Sequence, residues 1–276
     1  MRKNLRRKKI LKKKVAIILA VLIGGAGCLC GNAAMARDTT YCDDGIMPLL
    51  ATDHTVYYEN KTQDTYRMVL RHPYYFSTPY ASSCACVAGA NVIGFYDRYD
   101  EDLIPNHQSG TVFQGQFLYS IEDTYTTEVV KQLYSDMGTT SSGTTVSEFK
   151  NGMIRFCLRK GKRITFTSCM KNGSFDYATA QSYMQSNLPV VLFCSGFNVA
   201  DIAPYDGRDV ISYYESTGNH VMVGFGYQVI NYTYSSNSSG TYEFVKVASG
   251  TGSKSNGYYN IHYNTTINDA YAVEIY

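Results

Sequence analysis

The chain has 276 residues, with 25 Lys and Arg against 23 Asp and Glu, 26 Tyr and no Trp. Nine of the basic groups and none of the acids lie in residues 1–36, so setting that segment aside leaves 16 basic against 23 acidic groups and turns a formal charge of +2 into −7. A polypeptide of that charge is a poor partner for nucleic acid or an anionic membrane, and its remaining length of about 240 residues suffices for one sizeable core.

The first element is a leader. A basic stretch over residues 1–14 precedes the apolar run Val15 to Ala26, and Ala34-Met35-Ala36 is a small-x-small cleavage signal before Arg37. This predicts a secretory signal peptide over residues 1–36 and a secreted or extracellular cell-surface protein. The run is short for a full membrane span, so contact with a membrane is expected only through an uncleaved leader. The length of the basic stretch suits a Gram-positive bacterium.

Residues 37–75 carry scattered Tyr, Asp and Thr without a strong period and read as an N-terminal extension or short pro-segment. From Ser83 the pattern changes. Cys84, Ala88, Val92, Phe95 and Tyr99 recur every three or four residues and predict an amphipathic helix with Ser83 as N-cap. Helices are expected from Thr126 to Met137 and, capped by Ser147, to about Leu158, with a Gly/Ser/Thr loop between them. Gly161 then breaks to a strand at Ile164–Ser168, a helix runs from Phe175 to Ser186, and Leu188 to Cys194 enters a buried strand. Val221–Ile230 and Tyr242–Ala248 flank a polar turn and form an antiparallel pair, and Tyr271–Ile275 closes the sheet. Helices followed by antiparallel strands give an α+β fold with a cleft between the two parts. Arg155, Arg159, Lys160, Lys162 and Arg163 read as a solvated helix end.

The chemistry concentrates at Cys84. A thiol at a helix N-terminus meets backbone N–H groups and the positive end of the macrodipole, which favour the nucleophilic thiolate. His220, at the mouth of a strand, is the candidate base. Cys86 lies roughly 200° further around the helix, so it does not share a cleft with Cys84. Six cysteines follow the leader, at 42, 84, 86, 157, 169 and 194. With Cys84 kept as a thiol an odd number remains, which is not a disulfide framework; a Cys157–Cys169 link and two buried thiols both stay open. No pair among the other histidines has metal-ligand spacing.

The run Cys84-Ala85-Cys86-Val87-Ala88-Gly89-Ala90-Asn91, continued by Ile93-Gly94-Phe95-Tyr96-Asp97, resembles the nucleophile helix of bacterial papain-like cysteine peptidases of the double-glycine-peptidase-like kind. Leu188-Pro189-Val190-Val191 and His220 with Gly226-Tyr227 are similar to that family's strands, and the likeness spans roughly residues 75–276. The resemblance implies a papain-like fold over residues 76–276, a helical part carrying the cysteine packed on an antiparallel sheet carrying the histidine. It implies hydrolysis of peptide bonds through an acyl-enzyme at Cys84 with His220 as general base, a protein or peptide substrate, and no cofactor beyond a reduced thiol.

Two positions depart from the family pattern. Thr78 stands where a Gln normally donates into the oxyanion hole, leaving Thr78, Ser82 or the Cys84 backbone as substitutes. Val247-Ala248-Ser249-Gly250 stands where an Asp or Asn orients the histidine, leaving Ser249 or Asn256 for that role. These departures keep two other readings open: an inactive papain-like surface-binding module, and a peptidoglycan amidase or endopeptidase using the same Cys-on-helix, His-on-strand chemistry.

Overall fold

The computed structural model describes residues 39–41, 50–68, 80–97, 103–105, 111–113, 116–118, 124–235, 238–251, 256–263 and 265–276. The expected leader, Cys42 and Thr78 lie outside the described residues. Among the described residues, four helices and a large antiparallel sheet give a mixed α+β architecture.

The helices are α1 (Cys84–Asp97), α2 (Thr124–Met137), α3 (Val146–Arg159) and α4 (Tyr177–Gln185). Helix α1 is not the amphipathic helix that its three-to-four spacing predicts, since it is buried on nearly every side. Its small residues explain how: a Cβ on Gly89 would lie 2.9–3.2 Å from side-chain atoms of Met153, Leu133 and Met137, so α2 and α3 approach α1 at glycine distance. Helix α3 starts two residues before the expected Ser147 cap. Thr145 Oγ1 accepts from the Glu148 N–H at 3.2 Å while Glu148 Oε2 accepts from the Thr145 N–H at 2.7 Å, a capping box that satisfies two otherwise orphaned donors. The basic island does structural duty as well. Arg159 makes a paired contact to the Asp136 carboxylate and Arg155 donates to the Asp136 carbonyl at 2.9 Å, tying α3 to the end of α2.

The main sheet contains β1 (Leu50–Tyr57), β2 (Asn60–Arg67), β5 (Ile164–Ser168), β8 (Val190–Tyr205), β9 (Arg208–Thr233), β10 (Ser239–Ala248), β11 (Asn256–Asn260) and β12 (Thr266–Ile275). Its order is β1-β9-β10-β11-β8-β12-β5, with β2 also on β9. Because β8 pairs with β9 as well as with β11, these strands and β10 close into a ring. Two small hairpins, β3 (Thr111–Phe113) with β4 (Gln116–Leu118) and β6 (Met170–Lys171) with β7 (Ser174–Phe175), form separate two-stranded sheets.

Several strands exceed their sequence-based bounds. Strand β8 runs past Cys194 to Tyr205 and turns through Asp206-Gly207 into β9, with Gly207 at φ +64°, the left-handed conformation that a two-residue hairpin needs. The segment 37–75, in which the sequence shows no strong period, supplies β1 and β2, both registered against β9. Over residues 50–57 and 60–67 it is part of the main sheet. Strand β12 lies between β8 and β5.

Candidate active site

The start of α1 is the first component. The Val87 N–H donates to the Ser83 carbonyl at 2.9 Å, the first intrahelical bond, which places Ser83 at the N-cap position and Cys84 at the first helical position. Ser82 precedes it with φ +59°, and its hydroxyl donates to the Ser141 carbonyl at 2.9 Å in the α2–α3 loop. That bond turns the Ser82 hydroxyl toward the helical part. Cys84 is 1% exposed. Cys86 points into the helix bundle, 3.8 Å from Met137 Sδ and 3.4 Å from Thr139 Oγ1, and burial pushes its thiol up to about 12.

The second component is His220 in β9, fully buried and stacked on Phe197 with ring centroids 4.2 Å apart. A β-bulge sits beside it. Cys194 and Ser195 pair with His220 and Asn219, but the next pair is Phe197 with Ser216, so Gly196, at φ +65°, stands opposite two residues of β9, Thr217 and Gly218. A bulge re-aims the side chains next to it, which is how β8 brings Phe197 over the imidazole.

The group that holds the ring is a backbone carbonyl. His220 Nε2 lies 2.6 Å from the Ser249 oxygen. A carbonyl only accepts, so Nε2 carries the proton and Nδ1 is left as the basic nitrogen of the neutral ring. The Ser249 side chain faces elsewhere: its Oγ accepts from the Thr251 N–H at 3.1 Å and lies 3.2 Å from Thr251 Oγ1. Asn256 sits opposite Ala248 in the β10–β11 register, and among the described residues no hydrogen bond joins its side chain to His220. The sequence offers Ser249 or Asn256 as a side-chain orienter; the atom found at the imidazole is the Ser249 main-chain oxygen.

Contacts from Val87 and Tyr41 join the two components. Gly250, next to Ser249, has φ +74°, and a Cβ there would lie 3.3 Å from Val87 Cγ1, one turn along α1 from Cys84. The carbonyl that holds His220 is thus anchored against the first turn of the cysteine helix. Tyr41 packs its ring edge-on to Phe193 at 5.1 Å. Burial pushes its phenol well above the usual range, a hydrogen bond from Asn268 opposes that, and the charges of Cys194, Asp269 and Cys84 reinforce it. Tyr41 follows Thr40, whose carbonyl accepts from Asn219 Nδ2 at 3.0 Å next to His220, and Cys194 is the residue directly across from His220.

Tyr41, Phe197 and Cys194 are absent from the sequence-based site. Cys194 is notable because direct cross-strand pairing puts its side chain on the same face as His220. Burial pushes its thiol up to about 12, against a hydrogen bond with Tyr259, which makes it a poor nucleophile near neutral pH. The five described cysteines, Cys84, Cys86, Cys157, Cys169 and Cys194, form no disulfide, which closes the Cys157–Cys169 option. Among the described residues no group of three His, Cys, Asp or Glu side chains is placed to hold a metal ion.

No family model, curated protein or solved structure matches this chain.

Proposed function

We propose that the chain is a cysteine peptidase of papain-like design, with Cys84 as nucleophile, His220 as general base and the Ser249 carbonyl as the group that orients the base. The observation that carries this reading is the 2.6 Å contact between His220 Nε2 and the Ser249 oxygen, because it dictates which ring nitrogen accepts a proton. In the reaction, Nδ1 takes the proton of the Cys84 thiol as sulfur attacks the scissile carbonyl carbon. It then returns the proton to the leaving amine, and water attacks the thioester to release the acid and restore the thiol. The first turn of α1 supplies main-chain N–H groups for the oxyanion, since the opening donors of a helix have no acceptor within it. A Phe197 ring stacked on the imidazole restricts its rotation, which keeps Nδ1 aimed while Nε2 stays bonded.

One observation favours the second reading, a papain-like module that binds without cleaving: Cys84 and His220 are both almost fully buried. The two readings part on one experiment. Hydrolysis of an unfolded protein such as reduced casein is followed for the mature chain and for the Cys84→Ala and His220→Ala variants. The peptidase reading expects release of peptides by the parent and loss of at least about 10³-fold in each variant. Equal hydrolysis by parent and Cys84→Ala overturns it, and no hydrolysis by any of the three favours the binding module.

A further inference from the structure

Residues 39–41 bring Tyr41 into the core and are bonded through their main chain on two sides. The Thr40 carbonyl accepts from Asn219 Nδ2 at 3.0 Å, next to His220 in β9. One residue on, the Tyr41 N–H donates to the Thr144 carbonyl at 2.9 Å, and the Thr144 N–H donates back to the Tyr41 carbonyl at 3.1 Å, an isolated antiparallel bridge to the α2–α3 loop. These few residues are therefore stitched to the sheet on one side and to the helical part on the other. The Tyr41 side chain is 1% exposed, with Phe193 against its ring and Asn268 Nδ2 donating to its hydroxyl at 3.3 Å.

Main-chain hydrogen bonds that any sequence could make, plus one side chain swallowed by a shaped pocket, are how a protein recognises an extended peptide. We propose that this position is a peptide subsite selective for a tyrosine-bearing extended segment, and that residues 39–41 of the chain itself occupy it, between β9 next to His220 and the α2–α3 loop. The inference rests on the peptidase reading for its meaning as a substrate subsite, but the occupancy stands on the contacts alone. The pocket chemistry states the preference. Phe193 supplies an aromatic edge and Asn268 an amide donor, so tyrosine exceeds phenylalanine by one hydrogen bond and exceeds aliphatic residues by ring packing. The segment follows closely on the cleavage signal at Ala34-Met35-Ala36, so signal removal leaves it near a new chain end, where it is free to leave the subsite when a competing peptide enters.

The test reads the accessibility of Cys84, not hydrolysis. The mature chain, Tyr41→Ala and Asn219→Ala are treated with iodoacetamide, and modification of Cys84 is followed by mass spectrometry, with circular dichroism verifying that each variant is folded. Withdrawal of the segment predicts labelling at least about tenfold faster in Tyr41→Ala and a smaller acceleration in Asn219→Ala, which keeps the ring but loses the Thr40 bond. The peptide acetyl-Thr-Thr-Tyr-amide at millimolar concentration slows labelling of Tyr41→Ala again, and acetyl-Thr-Thr-Ala-amide does not. If Tyr41→Ala fails to fold, Asn219→Ala in the presence and absence of the tyrosyl peptide carries the decision. Unchanged labelling in the folded variants, or indifference to the tyrosyl peptide, overturns the proposal. Casein hydrolysis that ignores Tyr41 leaves a peptidase without this subsite, whereas peptide protection without hydrolysis leaves the subsite without a peptidase.

Discussion

Gly250 is where stability and the candidate site meet, and Gly250→Ala tests their connection. The residue sits at φ +74°, where an L-residue costs about 1–2 kcal/mol because its Cβ crowds the following carbonyl. The new Cβ also lies 3.3 Å from Val87 Cγ1, so α1 or the loop that carries the Ser249 carbonyl must yield by a few tenths of an ångström. Together these predict a loss of about 1–2 kcal/mol, or a fall in Tm of roughly 2–8 °C for a chain of this size. Urea unfolding and a thermal melt measure it. Two companions separate the causes: Gly250→Asn relieves part of the backbone cost but keeps the contact, while Val87→Ala with Gly250→Ala removes the contact but keeps the backbone cost. Hydrolysis by Gly250→Ala should fall further than its folded fraction explains, because the hydrogen bond to His220 lengthens. Stability unchanged within about 0.5 kcal/mol would refute the conformation assigned to this loop and the anchoring of Ser249 on α1.

Other consequences are independent of that loop. Ser249→Ala removes the bond to Thr251 and costs about 1 kcal/mol in urea unfolding, yet leaves kcat/KM within about threefold because the orienting atom is main-chain; a loss above about 100-fold would restore the side chain to the role. Asn256→Ala should likewise leave kcat/KM nearly unchanged. Gly152→Ala places a Cβ 2.8 Å from the Met137 backbone nitrogen, so overpacking between α2 and α3 should cost about 1–3 kcal/mol by the same unfolding assay. Asp176 caps α4 by accepting from the Thr179 N–H at 3.1 Å and the Thr179 hydroxyl at 2.8 Å, and these bonds hold its carboxyl below 3.8. A depressed carboxyl stabilises the folded state above its unfolded value and loses that contribution as the pH falls through the folded one, so the Tm advantage over Asp176→Ala should be full at neutral pH and shrink below 3.8. Burial pushes the thiols of Cys157 and Cys194 up to about 12 and that of Cys169 to about 11, so in the native chain all three should resist iodoacetamide at neutral pH and react only on unfolding.

Much of the helical part was readable because its signals are local. The start of α1 follows from the serine pair and the small-residue run, and the capping box of α3 is written as Thr145-Val146-Ser147-Glu148, although Ser147 was the more obvious cap. What the three-to-four spacing of α1 misses is that a second layer covers its other face; Gly89 and Gly152 are the sequence trace of that layer, since both mark places where methionine side chains need room. The hairpin at Asp206-Gly207 was equally written in the sequence, but the polar strand ends around it hide the long β8–β9 pair. Strands β1 and β2 were illegible for a different reason. Most of their residues are exposed, so no alternation of buried and polar positions marks them, and their place depends on β9, more than a hundred residues away. At the site, Cys84 and His220 stand out by residue type and position. The Ser249 carbonyl does not, because every residue has one and only the fold decides which one reaches an imidazole. Tyr41 was hidden by its surroundings: one tyrosine in a tyrosine-rich chain gains meaning only from Thr144, Asn219 and Phe193.

The central claim is that His220 activates Cys84, and it is tested most directly by alkylation of Cys84 at pH about 6 with limiting iodoacetamide, in the Tyr41→Ala chain with and without His220→Ala. At that pH an ordinary thiol, with a pKa of about 8.5, is almost entirely protonated. The account predicts that Cys84 reacts at least about tenfold faster than a cysteine of the same chain unfolded in urea, and that His220→Ala abolishes the excess. A rate for Cys84 that is the same with and without His220 would contradict it.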